Sequence, residues 1–299
     1  MFFQQLVNGL TLGAIYSLIA LGYTLVYGIL MMINFAHSEV LMAGTFVGWG
    51  MALLWPWLAP QGALGLALVL ALSMAGAGLL NMAIVWSAYR PVLHASRLMP
   101  LISSIGVSIV LQNAVFLWVS TQSQQFPELI AVTQLSLGPV SVSSIQLVIL
   151  SAALALMLGL HFFIEKTKTG KAMRACSDDM EAAGLMGIDT NRVIMLTFLV
   201  GGALGGAAGV LYGLNYGSIK YNMGFLPGAK AFTAAVLGGI GNIRGAVLGG
   251  MMLGLIEVFA AGYIPRGSDW RDVIAFTVLI AVLLWRPSGI LGEKVAHKV

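Results

Sequence analysis

The chain has 299 residues, of which 59% are hydrophobic and only 9% are charged. Because a soluble globular domain has about 25% charged residues, this composition excludes a soluble protein and predicts an all-α polytopic membrane protein in the lipid bilayer. The net charge of +4 comes from short loops rather than from one basic patch, so no nucleic-acid partner is expected. The single cysteine, Cys176, excludes a disulfide framework and a cysteine metal site.

Apolar stretches long enough to cross a membrane recur along the whole chain, since a helical span needs about 20 residues. Nine stretches qualify, and the seventh is the shortest and is rich in glycine. Their predicted bounds are 6–30, 35–58, 62–87, 98–120, 143–164, 193–217, 225–242, 245–264 and 271–286. The first stretch lacks the cationic start of a signal peptide and is taken as a span. We therefore predict one domain, residues 1–299, with about eight to ten transmembrane helices.

Lys and Arg residues in the loops predict the orientation in the membrane, since they concentrate on the cytoplasmic side. With the N-terminus outside, eleven of the 15 lie inside. They are Arg90, Arg97, Lys166, Lys168, Lys171, Arg174, Arg192, Arg244, Arg286, Lys294 and Lys298. The other four, Lys220, Lys230, Arg266 and Arg271, are assigned to outer loops. We therefore expect the N-terminus outside and the C-terminus inside.

Two segments, 22–48 and 209–239, share an order of features: an aromatic and glycine-rich helix end, a polar break, and a helix of small residues. An odd number of spans between two copies inverts the second copy, which is a common build of transporters. The similarity is weak, and any glycine-rich apolar pair could produce it. Residues 1–120 and 193–286 are thus candidate inverted repeats.

Polar residues at membrane depth are costly and often functional. Asn34, His37 and Glu39 lie at the inner start of the second span, where they either satisfy the backbone of a broken helix or line a route through the membrane. The first role is favoured. His37 and Glu39 are two residues apart and do not share a helix face, so no metal site is expected. Gln112 and Asn113 in the fourth span either link helices or line the route, and linking is favoured.

Two further features of the spans leave alternatives open. Glu257 is alone in the eighth span, and a buried carboxylate there must be protonated or paired. Pairing with a neighbouring helix or a partner subunit is favoured over lining a pathway and over a proton relay. Phe225, Pro227 and Gly228 break the chain before the seventh span, as an unwound gate on the outer side or as a simple turn.

Glycines recur at every fourth residue of the sixth span. They are Gly201, Gly205, Gly209, Gly213 and Gly217. Residues four apart share a helix face, and a face without side chains lets another helix approach closely. The pattern predicts tight helix packing, with a sliding seam as the alternative.

Residues 165–192 hold ten of the chain's charged side chains, whereas the first 89 residues hold only Glu39. The first half of this segment is basic, and the second half predicts a short amphipathic helix from Ser177 to Gly187. Ser177 is the expected N-cap, and Gly187 is placed to end the helix. Acidic residues suit the positive end of the helix dipole. They are Asp178, Asp179 and Glu181.

Within this helix, Glu181, Ala182, Ala183 and Gly187 spell EAAxxxG. The pattern resembles the signature that membrane subunits of bacterial ABC importers present to their ATPases. Longer stretches resemble LivH-type permease subunits of high-affinity branched-chain amino-acid ABC transporters, from about Gln4 to Gly292. They are GYTLVYGILMMINFAHSEVLMAG, AYRPV, RLMPLISSIGVSIVLQN, TGKAMRACSDDMEAAGLMGIDTNRVIMLTF and KAFTAAVLGGIGNIRGAVLGG. Ser38 departs from the glycine expected after Asn-Phe-Ala-His.

The resemblance implies an importer of Leu, Ile and Val in the bacterial inner membrane. It implies a second, related permease subunit, two cytoplasmic ATPases that bind ATP and Mg, and a periplasmic binding protein, with no cofactor in this chain. By the same resemblance, Ser177–Gly187 is the coupling helix that fits an ATPase groove. Related urea-type permeases share much of the pattern, so another small solute is the alternative cargo.

A stand-alone secondary transporter is a further alternative, and it would need an ion site at Glu39 or Glu257. An enzyme is not expected. Gly170-Lys171 lacks the flanking residues of a phosphate-binding loop, and neither HExxH nor GxSxG occurs.

Overall fold

The computed structural model describes residues 1–57, 62–92, 98–137 and 140–292. Within these ranges the chain forms eleven α-helices and two small antiparallel sheets. The helices are α1 Phe2–Leu30, α2 His37–Leu54, α3 Ala63–Ile84, α4 Leu98–Trp118, α5 Ser144–Lys166, α6 Lys168–Asp178, α7 Met180–Leu185, α8 Thr190–Tyr216, α9 Phe225–Gly238, α10 Ile243–Tyr263 and α11 Gly267–Trp285. The strands are β1 Gln124–Gln125, β2 Gln134–Leu137, β3 Val140–Ser143 and β4 Ser218–Ile219. Arg97, Lys294 and Lys298 of the orientation prediction lie outside the described residues.

Each predicted span corresponds, in order, to one helix: α1 to α5 and then α8 to α11. Six of these are long and apolar enough to cross a membrane, namely α1, α3, α4, α5, α8 and α10. Helix α2 has 18 residues and α9 only 14, so both are shorter than a full span. The described part of the chain is therefore an all-α polytopic membrane protein, as predicted.

The strands lie in the segments that flank the spans. Strand β1 pairs with β4, which ties the long segment after α4 to the residues that follow α8. Strands β2 and β3 form a hairpin that leads directly into α5. Ser143 caps α5 with a capping box that includes Gln146. The segment 121–142, whose only charged residue is Glu128, therefore contains paired backbone where the structure describes it.

Helices α1 and α8 form the centre of the bundle. Helix α1 packs along α10, and α8 packs along α3. Glycines allow these close approaches: a Cβ added at Gly13 would lie 2.8 Å from the Cα of Met251, and one at Gly206 would lie 2.6 Å from the Ser73 carbonyl oxygen. The inverted-repeat relation between residues 1–120 and 193–286 stays a prediction.

The glycine row of α8 faces several neighbours. Gly201 lies near Gly22 of α1, Gly205 near the His37 ring, and Gly209 against Thr45 of α2. A Cβ at Gly213 would lie 2.8 Å from the ring of Phe126. All four of these glycines are buried, the first three against other helices and Gly213 against the segment that follows β1. Gly217 differs from the prediction, because it ends α8 with a φ of 66° and has no atom within 4 Å of an added Cβ.

Candidate functional site

Helices α2 and α9 begin inside the bundle, and their N-terminal ends meet. Gly224, immediately before α9, lies against the backbone carbonyl of Ser38, so that an added Cβ would overlap it. Gly228, in the next turn, lies against the Ser38 side chain and near the hydroxyl of Tyr23 from α1. Ser38 and Gly224 are both buried. A helix N-terminus carries a positive partial charge, so two positive partial charges lie close together at this point.

Glu39, in the first turn of α2, is fully buried at this junction. Its Oε1 accepts a 2.7 Å hydrogen bond from the side-chain amide of Gln112, and the hydroxyls of Ser38 and Ser108 lie 3.4 Å away. Its Oε2 has no hydrogen-bond partner among the described residues, and a Cβ at Gly224 would be 3.1 Å from it. The two helix ends favour a negative charge there, and one carboxylate oxygen is left without a donor.

Asn34 and His37 hold the break between α1 and α2. The Asn34 side-chain oxygen accepts hydrogen bonds from the Ala36 backbone N–H (3.1 Å) and from the hydroxyl of Tyr89 (2.6 Å). Tyr89 lies in a π-helical turn, Val85–Tyr89, that continues α3. Asn34 therefore satisfies freed backbone, which is the favoured one of its two predicted roles.

The His37 ring fills the space between the glycine faces of α1 and α8. It is fully buried and meets the Tyr23 ring edge-on, with 4.7 Å between centroids. Within the described chain neither ring nitrogen has a hydrogen-bond partner. No group of three or more His, Cys, Asp or Glu residues in the described ranges could hold a metal ion.

Gln112 and Asn113 separate in the structure, although they are neighbours in sequence. Gln112 joins α4 to α2 through Glu39, so it links helices. Asn113 is exposed and donates to the Ile109 carbonyl of its own helix. Asn113 therefore makes no interhelical hydrogen bond within the described residues.

The break before α9 lies earlier than predicted. Helix α9 begins at Phe225, so Phe225 and Pro227 belong to its first turn rather than to the break. Proline is tolerated there because the N–H groups of a first turn have no intrahelical acceptor. The turn itself lies between the end of α8 and Gly224. Phe225 and Leu226 are exposed and form an apolar rim beside the buried junction.

Glu257 lies in a partly buried cluster of charges. Its Oε1 is 2.7 Å from the Nζ of Lys230, and its Oε2 accepts a 2.9 Å hydrogen bond from the hydroxyl of Tyr16. Lys230 is also 2.6 Å from Asp272, and the Nε of Arg271 lies 3.6 Å from Glu257. Glu257 is thus paired with neighbouring helices, as favoured.

The assignment of Lys230 to an outer loop was wrong. Lys230 lies within α9 and is 3% exposed, because its ammonium group is held between the carboxylates of Glu257 and Asp272. Sequence reasoning missed this cluster. The available signal was that Lys230 lies inside a predicted span, where a charge needs a partner.

The charged segment forms two helices rather than one. Helix α6 starts after a Thr167 cap and continues to Asp178, so Ser177 lies in its last turn. The Ser177 hydroxyl donates to the Arg174 carbonyl and caps nothing, contrary to the prediction. Asp179 is the N-cap of α7, where its Oδ1 accepts from the N–H groups of Glu181 and Ala182 at 3.0 Å each.

Gly187 follows the end of helix α7 and terminates it, as predicted. Its φ is 88°, its N–H donates to the Gly184 carbonyl, and the Ile188 N–H donates to the Ala183 carbonyl. These two bonds form a Schellman motif, which favours glycine at the left-handed position. Ala183 is buried, whereas Leu185 and Met186 are 85% and 84% exposed. Two large exposed apolar side chains at a helix end suit a contact with another protein.

Cys176 is buried within α6, together with Gly170 and Met173. Burial raises the pKa of this thiol, which lowers its reactivity.

Comparison with known proteins places these features in a family. The family model described as branched-chain amino acid transport system / permease component matches residues 5–283. The chain belongs to this family. It is 45% identical over 306 residues to the high-affinity branched-chain amino acid transport system permease protein BraD of Pseudomonas aeruginosa, covering 100% of this chain and 98% of that protein.

Two further relatives widen the comparison. The high-affinity branched-chain amino acid transport system permease protein LivH of Escherichia coli K12 is 44% identical over 309 residues, covering 100% of this chain and 98% of LivH. A probable branched-chain amino acid transport permease protein LivH of Methanocaldococcus jannaschii is 27% identical over 293 residues, covering 92% and 88%. The resemblance of the sequence to branched-chain amino-acid permease subunits is confirmed.

Proposed function

We propose that this permease is the membrane-spanning subunit of an ABC importer that carries Leu, Ile and Val across the bacterial inner membrane by alternating access. The observation that carries the proposal is the full-length likeness to permease proteins of two high-affinity branched-chain amino acid systems. In this proposal the N-terminus lies outside and the charged segment lies in the cytoplasm. The chain performs no catalysis.

The proposal includes further subunits. A second, related permease subunit would complete the pathway, two cytoplasmic ATPases would bind ATP and Mg, and a periplasmic binding protein would deliver the cargo. No cofactor is assigned to this chain. Exposed apolar residues at the end of α7 and beside the α9 junction support the view that other subunits cover these surfaces.

The contacts of α6 and α7 suggest how ATPase movement would reach the pathway. Helix α6 packs against α5 and also touches α1 and α8, the two central helices. Helix α7 is capped at both ends, by Asp179 and by Gly187, so it is a short rigid element. A partner that moves α7 would therefore displace the helices that surround the α2–α9 junction.

The deciding experiment is uptake by purified complexes in vesicles. We expect uptake of labelled leucine only when this permease, its second permease subunit, the ATPases, the binding protein and ATP are all present. Isoleucine and valine should compete and urea should not. Competition by urea but not by valine would favour a urea-type permease instead.

A stand-alone secondary transporter is the second candidate, and one observation favours it: Glu39 is a buried carboxylate with an oxygen that lacks a partner among the described residues. Such a group could bind a coupling ion. Vesicles that contain this chain alone, with an imposed ion gradient and no ATP, test it directly. Gradient-driven uptake by the chain alone would overturn the importer proposal.

The coupling role of α7 is tested by Glu181→Lys together with Gly187→Leu. We expect normal membrane insertion but weaker ATPase association and lower uptake, because the charge of the first turn and the helix end both change. Ser177→Ala is the matched control, since its hydroxyl bonds only to its own helix. Normal uptake by the double variant would contradict the coupling role.

A further inference from the structure

A second polar region lies away from the α2–α9 junction, at the end of the bundle that the proposed orientation places outside. Here a pocket of about 280 Å³ opens between α1, α5, α8, α10 and α11. Pockets for drug-sized ligands begin at about 300 Å³, so this volume suits a small metabolite. Its lining includes Asn8, Leu12, Asn215, Glu257, Val258 and Arg271.

The pocket presents a fixed carboxylate beside a guanidinium that forms ion pairs but no hydrogen bond within the described residues. Glu257 is held by Lys230 and Tyr16, and only 3% of its side chain is exposed. Arg271 is 46% exposed, and its Nε lies 3.6 Å from the Glu257 Oε1. Across the described chain Arg271 is in ion-pair range of Glu257 and Asp272, yet it makes no hydrogen bond. Its donors are therefore available to a ligand in the pocket.

The balance of charge in this cluster narrows the class of ligand. Lys230 and Arg271 offset Glu257 and Asp272, so the cluster is neutral overall. A ligand with a net charge would upset that balance in a partly buried site, whereas a zwitterion adds a positive and a negative group together. A guanidinium binds a carboxylate through two parallel hydrogen bonds, and the negative charge of Glu257 attracts an ammonium group to its side of the pocket.

The rest of the wall has two kinds of surface. The side-chain oxygen of Asn215 can accept from an ammonium group, because the Asn215 side chain makes no hydrogen bond within the described residues. The side-chain oxygen of Asn8 already accepts from Gln146 (2.8 Å) and Gln4 (3.3 Å) and only forms part of the polar wall. Leu12, Val258 and Ala261 supply an apolar surface. An aliphatic side chain fits such a surface, because apolar area removed from water is stabilising.

We propose that this pocket is a binding subsite for a free, zwitterionic α-amino acid with an aliphatic side chain. Arg271 binds the α-carboxylate, the Asn215 amide oxygen accepts from the ammonium group beside the negative charge of Glu257, and the Leu12–Val258 surface contacts the side chain. This inference rests on the proposed function and deepens it. The subsite receives the cargo on the outer side, within one permease chain, before the cargo reaches the pathway between subunits.

The test is equilibrium binding of labelled leucine to the assembled complex in nanodiscs, without the binding protein. Arg271→Gln should weaken leucine binding by about tenfold or more, since a charge-assisted hydrogen bond is lost. Arg266→Gln is the matched control, because Arg266 is 83% exposed and pairs with Asp269 away from the pocket lining. We expect the control to bind leucine as the wild type does.

Analogues separate recognition from a structural effect. Leucinamide lacks the carboxylate, and 4-methylpentanoate lacks the ammonium group, so each should bind the wild type about tenfold more weakly than leucine. In Arg271→Gln, leucine and leucinamide should bind equally well. An unchanged preference for leucine over leucinamide would overturn the subsite. Unchanged leucine affinity with weaker capture of the periplasmic binding protein would also overturn it and make Arg271 a docking residue.

Failure of the subsite differs from failure of the proposed function. Wild-type uptake of leucine together with unaltered binding and uptake in Arg271→Gln would sink the subsite alone. No ATP-dependent uptake of any branched-chain amino acid by the wild-type complex would sink the proposed function. In that case the same binding series, run with labelled alanine and alaninamide, still decides whether the pocket selects zwitterions.

Discussion

The two buried carboxylates of this permease, Glu39 and Glu257, are stabilised in different ways. Glu257 lies 2.7 Å from the Lys230 ammonium and 2.9 Å from the Tyr16 hydroxyl, so both of its oxygens are occupied. Glu39 has no cation beside it among the described residues. Its Oε1 accepts from the neutral amide of Gln112, and its Oε2 faces the start of α9 without a partner.

The difference indicates that Glu257 has a structural role, whereas Glu39 is able to take a new hydrogen-bond partner. A buried charge is tolerated when it is paired and hydrogen-bonded, and removing one member of such a pair is strongly destabilising. Glu257 therefore joins α1, α9 and α10 in one fixed arrangement. Glu39 relies on helix ends and neutral donors, and it keeps one oxygen that a new partner could use. We expect substitutions around Glu257 to affect stability, and substitutions around Glu39 to affect it less.

The largest expected effect comes from Lys230→Met. This change leaves Glu257 and Asp272 close together with only Arg271 nearby, which should lower the free energy of unfolding by about 3–5 kcal/mol. Chemical denaturation in detergent micelles measures it. Lys220→Met, an exposed lysine at the same end of the bundle, is the control and should change stability little. Equal stability of the two variants would show that the buried pair is not structurally important.

A middle-sized effect is expected from Gln112→Leu. Glu39 then loses its shortest hydrogen bond, and a hydrogen bond to a charged group contributes about 1.5–3 kcal/mol. The control is Asn113→Leu, because Asn113 is exposed and donates only to its own helix. The same denaturation series compares them. If Asn113→Leu destabilised the chain as much as Gln112→Leu, the hydrogen bond between Gln112 and Glu39 would not explain the loss of stability.

The order and type of the helices could be predicted from sequence, because apolar stretches of membrane length are a strong signal. All nine predicted spans have a helix. Which spans adjoin could not be predicted, since the partners of Glu257 are Lys230, 27 residues away, and Tyr16, 241 residues away. A count of loop charges therefore assigned Lys230 to the wrong environment, although it lies inside a predicted span.

Competition between two possible N-cap residues explains why the predicted helix in residues 165–192 began at the wrong residue. Ser177 and Asp179 are both good N-cap residues, and sequence alone favoured Ser177 because acidic residues follow it. In the structure the Thr167 hydroxyl accepts from the Gly170 N–H and starts α6, which then runs through Ser177. Only Asp179 is left to cap α7. The glycine end at Gly187 was predicted correctly, since Gly187 rather than Gly184 takes the left-handed conformation.

The smallest expected effect on stability is that of Glu39→Gln, and it tests the comparison most directly. The amide of Gln keeps an oxygen for the Gln112 donor, and the loss of a charge near a helix N-terminus costs only about 0.3–1 kcal/mol. The same substitution at Glu257 leaves the buried Lys230 without the more deeply buried of its two anionic partners and should cost several times more. Denaturation of Glu39→Gln and Glu257→Gln side by side measures the ratio. Equal losses in the free energy of unfolding would mean that Glu39 is held as firmly as Glu257. The unpartnered oxygen of Glu39 would then not distinguish the two carboxylates. A stable Glu39→Gln variant with altered uptake would instead make the α2–α9 junction part of the transport pathway.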